Sequence, residues 1–302
     1  MPKKTVLFDL NHNEMLNIYE EEFSEFLKLL ESLNLRIKTN DHKNITEKLL
    51  QNIDILIIGN PIEEYFSSIE INCIVDFVRN GGNLLLISEY GADYLQKTNL
   101  NDISSKYFGI YFQKNLIKTY NNLNQNCSSI LTIQNFTDHQ ITKQLREIVI
   151  GGGCSFLINQ NSEPLFYSKE CWTEVYNDLS KQWSKEEESL PQIMAVYTDY
   201  GRGKVVALGD IDIFSNDPNI GIKRLDNRKF IINLLNWFTE EKINDNDVLG
   251  WILNQLGGIQ SEIKHINHKI NNIIETTTIL EKRISSLEDN TIEKDVENEN
   301  VE

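Results

Sequence analysis

Basic residues are scarce. Lys and Arg total 29 against 45 Asp and Glu, a formal net charge of −16 across 302 residues. Unassisted binding to nucleic acid or to an anionic membrane needs a basic surface that displaces counterions, so neither is expected as a partner. Long apolar runs are missing too. None approaches the roughly 20 residues of a bilayer span, and the opening MPKKTVLFDLN has neither an apolar core nor a small-residue cleavage site. No membrane insertion and no signal peptide are therefore expected. Cysteine is sparse: Cys73, Cys127, Cys154 and Cys171 form no C-x-x-C pair, and no His stands at zinc-finger distance from such a pair. Structural zinc and a thioredoxin-like site are not expected, and four free thiols fit a reducing cytoplasm. What remains, 40% hydrophobic and 25% charged residues, is an ordinary globular composition long enough for one large α/β domain or two small ones.

The first 90 residues alternate strand and helix. Thr5–Phe8, Asp54–Gly59 and Asn83–Ser88 are short apolar runs of the kind that form buried parallel strands. A helix is expected from about Glu14 to Leu33, with Tyr19, Phe23, Phe26, Leu27, Leu30 and Leu33 along one face. A strand at Leu35–Lys38 follows, then a small helix at Ile45–Leu50 with Asn44 as its cap. Ile71, Ile74, Val75 and Val78 share one face of a third helix, which ends at Gly81-Gly82. This rhythm predicts a mainly parallel, doubly wound sheet with right-handed crossovers and helices on both faces.

Between about 95 and 190 the pattern blurs. Strand-like pieces occur at Ile110–Lys118, Ser129–Ile133, Ile148–Ile150, Ser155–Asn159 and Leu165–Ser168, and the charged run Ser184–Ser189 reads as a loop. Gln192–Thr198 and Lys204–Leu208 form a hairpin across Gly201-Arg202-Gly203, and a helix from Asp226 to Phe238 closes the α/β domain, 1–240. A linker, 241–251, leads into a different kind of sequence. Ile252, Leu256, Ile259, Ile263, Ile266, Ile270, Ile273, Thr277, Leu280, Ile284, Leu287 and Thr291 repeat with 4-3 spacing, a coiled-coil seam over 252–291. Ile259, Ile263, Ile266, Ile270, Ile273, Leu280, Ile284 and Leu287 are its oligomerisation positions. The acidic stretch 292–302 is expected to be a disordered tail.

In open α/β sheets, working groups collect at the carboxyl ends of the strands. That rule selects Asp9, His12 and Glu14 after the first strand, Ser88 and Glu89 after the strand at 83–87, and Asp210 and Asp212 after the last. His139, in Asp138-His139-Gln140-Ile141-Thr142, is counted with this ligand-binding rim. A His among converging carboxylates suits acid–base chemistry or a divalent metal; Asp9 and Asp210 would equally serve to cap helices or tie loops. Gly151-Gly152-Gly153 lacks a following Gly-Lys-Ser/Thr and reads as a turn.

Four segments carry a resemblance: Val6-Leu7-Phe8-Asp9 with Asn11-His12, Gly81-Gly82-Asn83 through Ser88-Glu89, Asp138–Thr142 ahead of a short helix, and Tyr200-Gly201-Arg202-Gly203-Lys204 through Asp210. Together, in this order, the chain over 3–240 resembles the class I glutamine amidotransferase-like superfamily. More narrowly it is similar to the branch holding the N-terminal domain of an intraflagellar-transport B-complex subunit and related gliding and transporter-accessory proteins; the segment at 138–142 is also similar to trehalose-utilisation-type members. The resemblance implies a flavodoxin-like sheet. It also implies a nucleophilic Cys on the turn after Asn83–Ile87, where this chain has Ser88 and Glu89, and no Gly-x-Ser-x-Gly elbow replaces it. Glutamine hydrolysis by that mechanism is not expected, and binding members of the branch lack the nucleophile likewise.

The reading is a cytoplasmic, non-catalytic binding or scaffold protein that needs no cofactor and no metal, self-associated or joined to a protein partner through the coiled coil. One alternative is a hydrolase or metal-dependent enzyme using His12, Glu89 and Asp210. The other is a small-ligand sensor for a sugar or nucleotide.

Overall fold

The computed structural model describes residues 3–120, 127–186 and 191–239, together with Ile263, Ile266 and Ile270. The chain divides into two compact units, Met1–Ile243 and Asn244–Glu302. In the second, Ile263, Ile266 and Ile270 are helical and about half exposed. The other seam positions and the acidic tail lie outside the described residues.

The first unit opens with β1 (Thr5–Asp9), α1 (Ser24–Ser32), β2 (Arg36–Asn40), α2 (Glu47–Leu50), β3 (Ile55–Gly59), α3 (Ser68–Arg79) and β4 (Asn83–Ile87). Two helices follow, α4 (Ala92–Gln96) and α5 (Leu100–Phe108). Then come the short strands β5 (Ile110–Phe112), β6 (Asn115–Tyr120), β7 (Cys127–Ser128), β8 (Leu131–Ile133), β9 (Asn135–Phe136), β10 (Ile148–Ile150) and β11 (Phe156–Ile158). The unit is completed by β12 (Glu163–Ser168), β13 (Trp172–Asn177), β14 (Gln182–Lys185), β15 (Gln192–Tyr200), β16 (Gly203–Leu208) and α6 (Asn227–Thr239).

The central sheet is mostly parallel: β2-β1-β3-β4-β16 run in one direction. β15 returns antiparallel on β16, as the hairpin at Gly201 predicts, and β11, β12, β5 and β9 extend the sheet beyond it. Strands β14-β13-β6-β7 form a separate sheet, and β10 pairs with β8.

Every residue of β1, β3 and β4 is buried, which is why these strands read as unbroken apolar runs instead of alternating ones. Successive side chains leave a strand on opposite faces. Leu7 joins Leu56, Leu84 and Val205 beneath Ile71, Ile74, Val75 and Val78 of α3. Phe8 goes the other way, its ring 6.1 Å from Phe26 of α1, which lies 4.8 Å from Phe214. Helix α3 begins on a reciprocal cap between Ser67 and Glu70, and the chain leaves it through Gly81 at φ +109, a conformation suited to glycine.

Several expectations are corrected. The helix placed at 14–33 starts only at Ser24, after a 3-10 turn at Glu21–Phe23. Residues 10–20 are instead a loop laid over the strand ends: Met15 N–H bonds Asn60 O at 3.1 Å and Leu16 N–H bonds Gly59 O at 3.0 Å, burying Leu16 and Ile18 while Tyr19 stays exposed. Helix α2 is capped by Thr46, whose side chain accepts from Leu49 N–H, and not by Asn44. The expected strand Ile110–Lys118 is two strands in different sheets. Ser184 and Lys185 belong to β14, not to a loop. Residues 138–144 are turns with no short helix after them.

The closed carboxyl rim of the parallel strands

The parallel strands end side by side, so Asp9, Asn60, Ser88 and Gly209 stand along one edge of the sheet. The carboxylates and His12 separate there into two buried groups.

At the β1 end, Asp9 Oδ2 lies 2.5 Å from His12 Nδ1, and Asp9 Oδ1 accepts from Asn40 Nδ2 at 2.7 Å. The other ring nitrogen of His12 is 3.3 Å from Glu70 Oε1. The ring stacks on Phe66 with centroids 3.9 Å apart. Glu70 is held by Ser67 N–H and Oγ–H and by Ile45 N–H. Glu14 Oε2 accepts from His12 N–H at 3.1 Å. Burial alone would hold the imidazole neutral; the hydrogen bond and charge of Asp9, with Glu70 and Glu64, outweigh it and raise the His12 pKa. Burial, then the charge of Asp9, drives the Glu14 carboxyl pKa up. Both ring nitrogens of His12 face carboxylates, so the imidazole has no free lone pair for a substrate proton.

At the β4–β16 end, Glu89 Oε1 accepts from Ile211 N–H at 2.7 Å, Asp210 Oδ2 from Gly151 N–H at 3.0 Å, and Asp210 Oδ1 from Asp212 N–H at 3.1 Å. Burial first, and then the charge of Asp210, raises Glu89 well above the carboxylate range. Asp210 is raised by burial and Asp212, and Asp212 by burial and Glu22. Burial and mutual repulsion both disfavour charge on the two carboxyls at once.

The roof over this end is the glycine triplet. Cys154 N–H bonds Gly209 O at 2.8 Å and Gly151 N–H bonds Asp210, laying the backbone of 151–154 against 209–212, and Ile117 N–H of β6 bonds Gly153 O at 3.1 Å. A side chain on Gly153 would prevent that approach, because its Cβ would meet Gly209 O at 2.2 Å. The triplet turns, with Gly153 N–H on Gly151 O at 2.5 Å, and the same turn straps this end of the sheet. Ser88 is 0% and Glu89 6% exposed. The Ser88 hydroxyl has no hydrogen-bond partner and no imidazole beside it in the contacts of the described residues. Cys154 is fully buried near Glu89, and burial raises its thiol well above the ordinary value.

His139 stands elsewhere. Its ring packs on Tyr197 at 4.0 Å and Trp237 at 5.1 Å. Lys204, at the amino end of β16, bonds Trp237 O at 2.9 Å, which puts this aromatic group at the opposite edge of the sheet from Asp210. Glu70, Asn40 and Asn60 were not singled out by the sequence reading; the Ser67-x-x-Glu70 capping pattern was the one available signal, and it points to a helix start rather than to the rim. Two concavities lie away from these groups. One of about 320 Å³ is lined by Asp93, Tyr94, Tyr111 and Lys114; the other, about 670 Å³, by Asn115, Leu157, Lys185 and Gln192 among others.

The fold and rim describe a mixed α/β domain built on parallel strands whose working edge is filled by its own loops. The IFT52 GIFT domain family matches residues 5–124. Among solved structures, the chain is similar to the mmIFT52 N-terminal domain, with 18% identity and a TM-score of 0.65 over 80% of this chain and 100% of that one. It is also similar to a ThuA-like protein from Bacteroides uniformis, at 15% identity and a TM-score of 0.50, covering 78% of this chain and 91% of that one. A cytoplasmic protein from Salmonella typhimurium LT2 gives 15% and 0.50, covering 78% and 99%. No curated protein matches. Among the described residues no helix is long and apolar enough to cross a membrane.

Proposed function

We propose that the chain is a non-catalytic scaffold: a flavodoxin-like, amidotransferase-like domain without the nucleophile, joined to copies of itself or to a protein partner by a coiled coil over 252–291. The assembly would be of the intraflagellar-transport type, placing the protein in the cytoplasm or at a cilium. One observation carries this reading. The position after β4, where amidotransferases present a thiol to solvent, holds a serine and a glutamate that are both buried, and Gly151 N–H bonds the neighbouring Asp210. An enzyme needs its reacting groups around an open pocket; a scaffold has no use for one. The similarity to IFT52 domains supports the same reading, and the closed rim counts against the hydrolase and the sensor.

The test is the mass of the full chain in solution. A chain of 35.1 kDa joined to itself by the coil should weigh a multiple of that value. Ile266→Lys with Ile270→Lys, which place charge on the apolar seam, should return it to the monomer. A wild-type monomer would remove self-assembly, leaving only joining to a different chain. Reaction of Cys154 with a thiol reagent in the native protein would show an open rim and sink the non-catalytic reading.

A further inference from the structure

We propose that Asp9, His12 and Glu14 bind one divalent first-row transition ion, of the zinc or manganese kind, which locks the loop after β1 onto the rim. His12 Nδ1 and one oxygen each of Asp9 and Glu14 lie within 4.8 Å of one another. Glu14 is 7% exposed, and its Oε1 has no hydrogen-bond partner. That oxygen faces His12 Nδ1 from 3.9 Å, too far for a hydrogen bond and suited to sharing a ligand with it. A buried orphan oxygen of this kind calls for an ion or a water.

The far side of the imidazole points the same way. Glu70 Oε1 is 3.3 Å from His12 Nε2 and is itself fixed by Ser67 and Ile45. A carboxylate behind the outer nitrogen is how metal-bound imidazoles are oriented. With Nε2–H given to Glu70, an entering ion displaces the proton between Nδ1 and Asp9, and the freed lone pair becomes a ligand beside Asp9 and Glu14. Asn40 holds Asp9 Oδ1 at 2.7 Å and leaves Oδ2 for the ion. One imidazole with two carboxylates suits zinc or manganese better than calcium or magnesium, which prefer all-oxygen shells. The other acidic group lacks these marks, because Glu89 Oε1 and both Asp210 oxygens already accept backbone N–H groups.

Metal bonds of about 2.0–2.2 Å place tetrahedral ligands roughly 3.3–3.6 Å apart. Asp9 and His12 must therefore open from their 2.5 Å contact when the ion enters. The ligands are buried beneath the 10–20 loop, so the ion braces the fold and has no open position for substrate.

The experiment uses the full chain, stripped with chelator and then dialysed against zinc, manganese, magnesium or calcium. Metal is counted by elemental mass spectrometry and stability followed by thermal melting. One zinc or manganese per chain and a raised melting temperature are expected, with magnesium and calcium inert. Glu14→Gln and Glu70→Gln should each weaken binding by about 10–100-fold. No uptake by the wild type, or unchanged affinity in Glu14→Gln, overturns the proposal. Should the variants not fold, anomalous scattering at the zinc edge from wild-type crystals decides: a peak between Asp9 and His12 supports the site, and its absence there refutes it.

Discussion

Gly153 packs so closely on Gly209 that a methyl group added to Gly153 would stand 2.2 Å from the Gly209 carbonyl oxygen. The obstacle is backbone, which cannot swing aside as a long side chain can. Gly153→Ala should therefore destabilise the protein by about 1–3 kcal/mol, the usual cost of overpacking. Gly152→Ala, whose Cβ would meet nothing nearer than 3.6 Å, should stay within about 0.5 kcal/mol of wild type. Urea denaturation of the two variants checks both; equal effects would mean that the strap is not seated as described.

His12 stands between Asp9 and Glu70 in a buried site. His12→Ala leaves two carboxylates facing each other without the ring that separates them. Breaking a buried charged group by removing one partner costs about 3–5 kcal/mol, and that loss is expected in chelator-containing buffer. Denaturation midpoints of the variant and wild type measure it.

Asp93 gives a pH dependence of defined sign. Burial raises its carboxyl from 3.8 to about 6, against backbone hydrogen bonds from Asn101 and Leu100 that pull it down. Between these values the folded chain holds a proton the unfolded chain has lost. This group's contribution to stability therefore falls as pH rises from 4 through 6, and stays lower above that, by at most about 3 kcal/mol. Glu25 and Glu174, held low against burial by lysines, act in the opposite sense, so the difference between wild type and Asp93→Asn is the informative quantity. Stability curves at pH 4 to 8 should show a smaller decline in the variant.

Thiol accessibility reports rim closure directly. Cys127 is exposed and Cys73 partly so, whereas Cys154 and Cys171 are buried with raised thiol pKa values. Native labelling at neutral pH followed by peptide mass mapping should modify Cys127 first, Cys73 slowly, and the other two only after unfolding.

The parallel strands were legible because a strand covered on both faces must be apolar at every position, as in Ile55–Gly59 and Asn83–Ile87. The hairpin across Gly201 and the apolar face of α3 were equally local signals. Residues 14–20 misled because Tyr19 stands at helical spacing ahead of Phe23, yet it lies exposed on a loop that buries Leu16 and Ile18 instead. Hairpin β13–β14 was missed since β14 is short, polar and mostly exposed and β13 has no regular alternation of buried and exposed residues.

Periodicity and composition, then, were enough to determine the strand–helix alternation, the acidic surface and the rim where Asp9, Ser88, Glu89 and Asp210 would stand. Tertiary structure alone decided that the rim splits into two groups, that Glu70 comes from α3 to face His12, that His139 goes to the other edge, and that Gly151–Gly153 lie against Gly209 and Asp210. The reason is physical: a strand's burial is written in its own side chains, but what fills the space beyond its end depends on residues tens or hundreds of positions away.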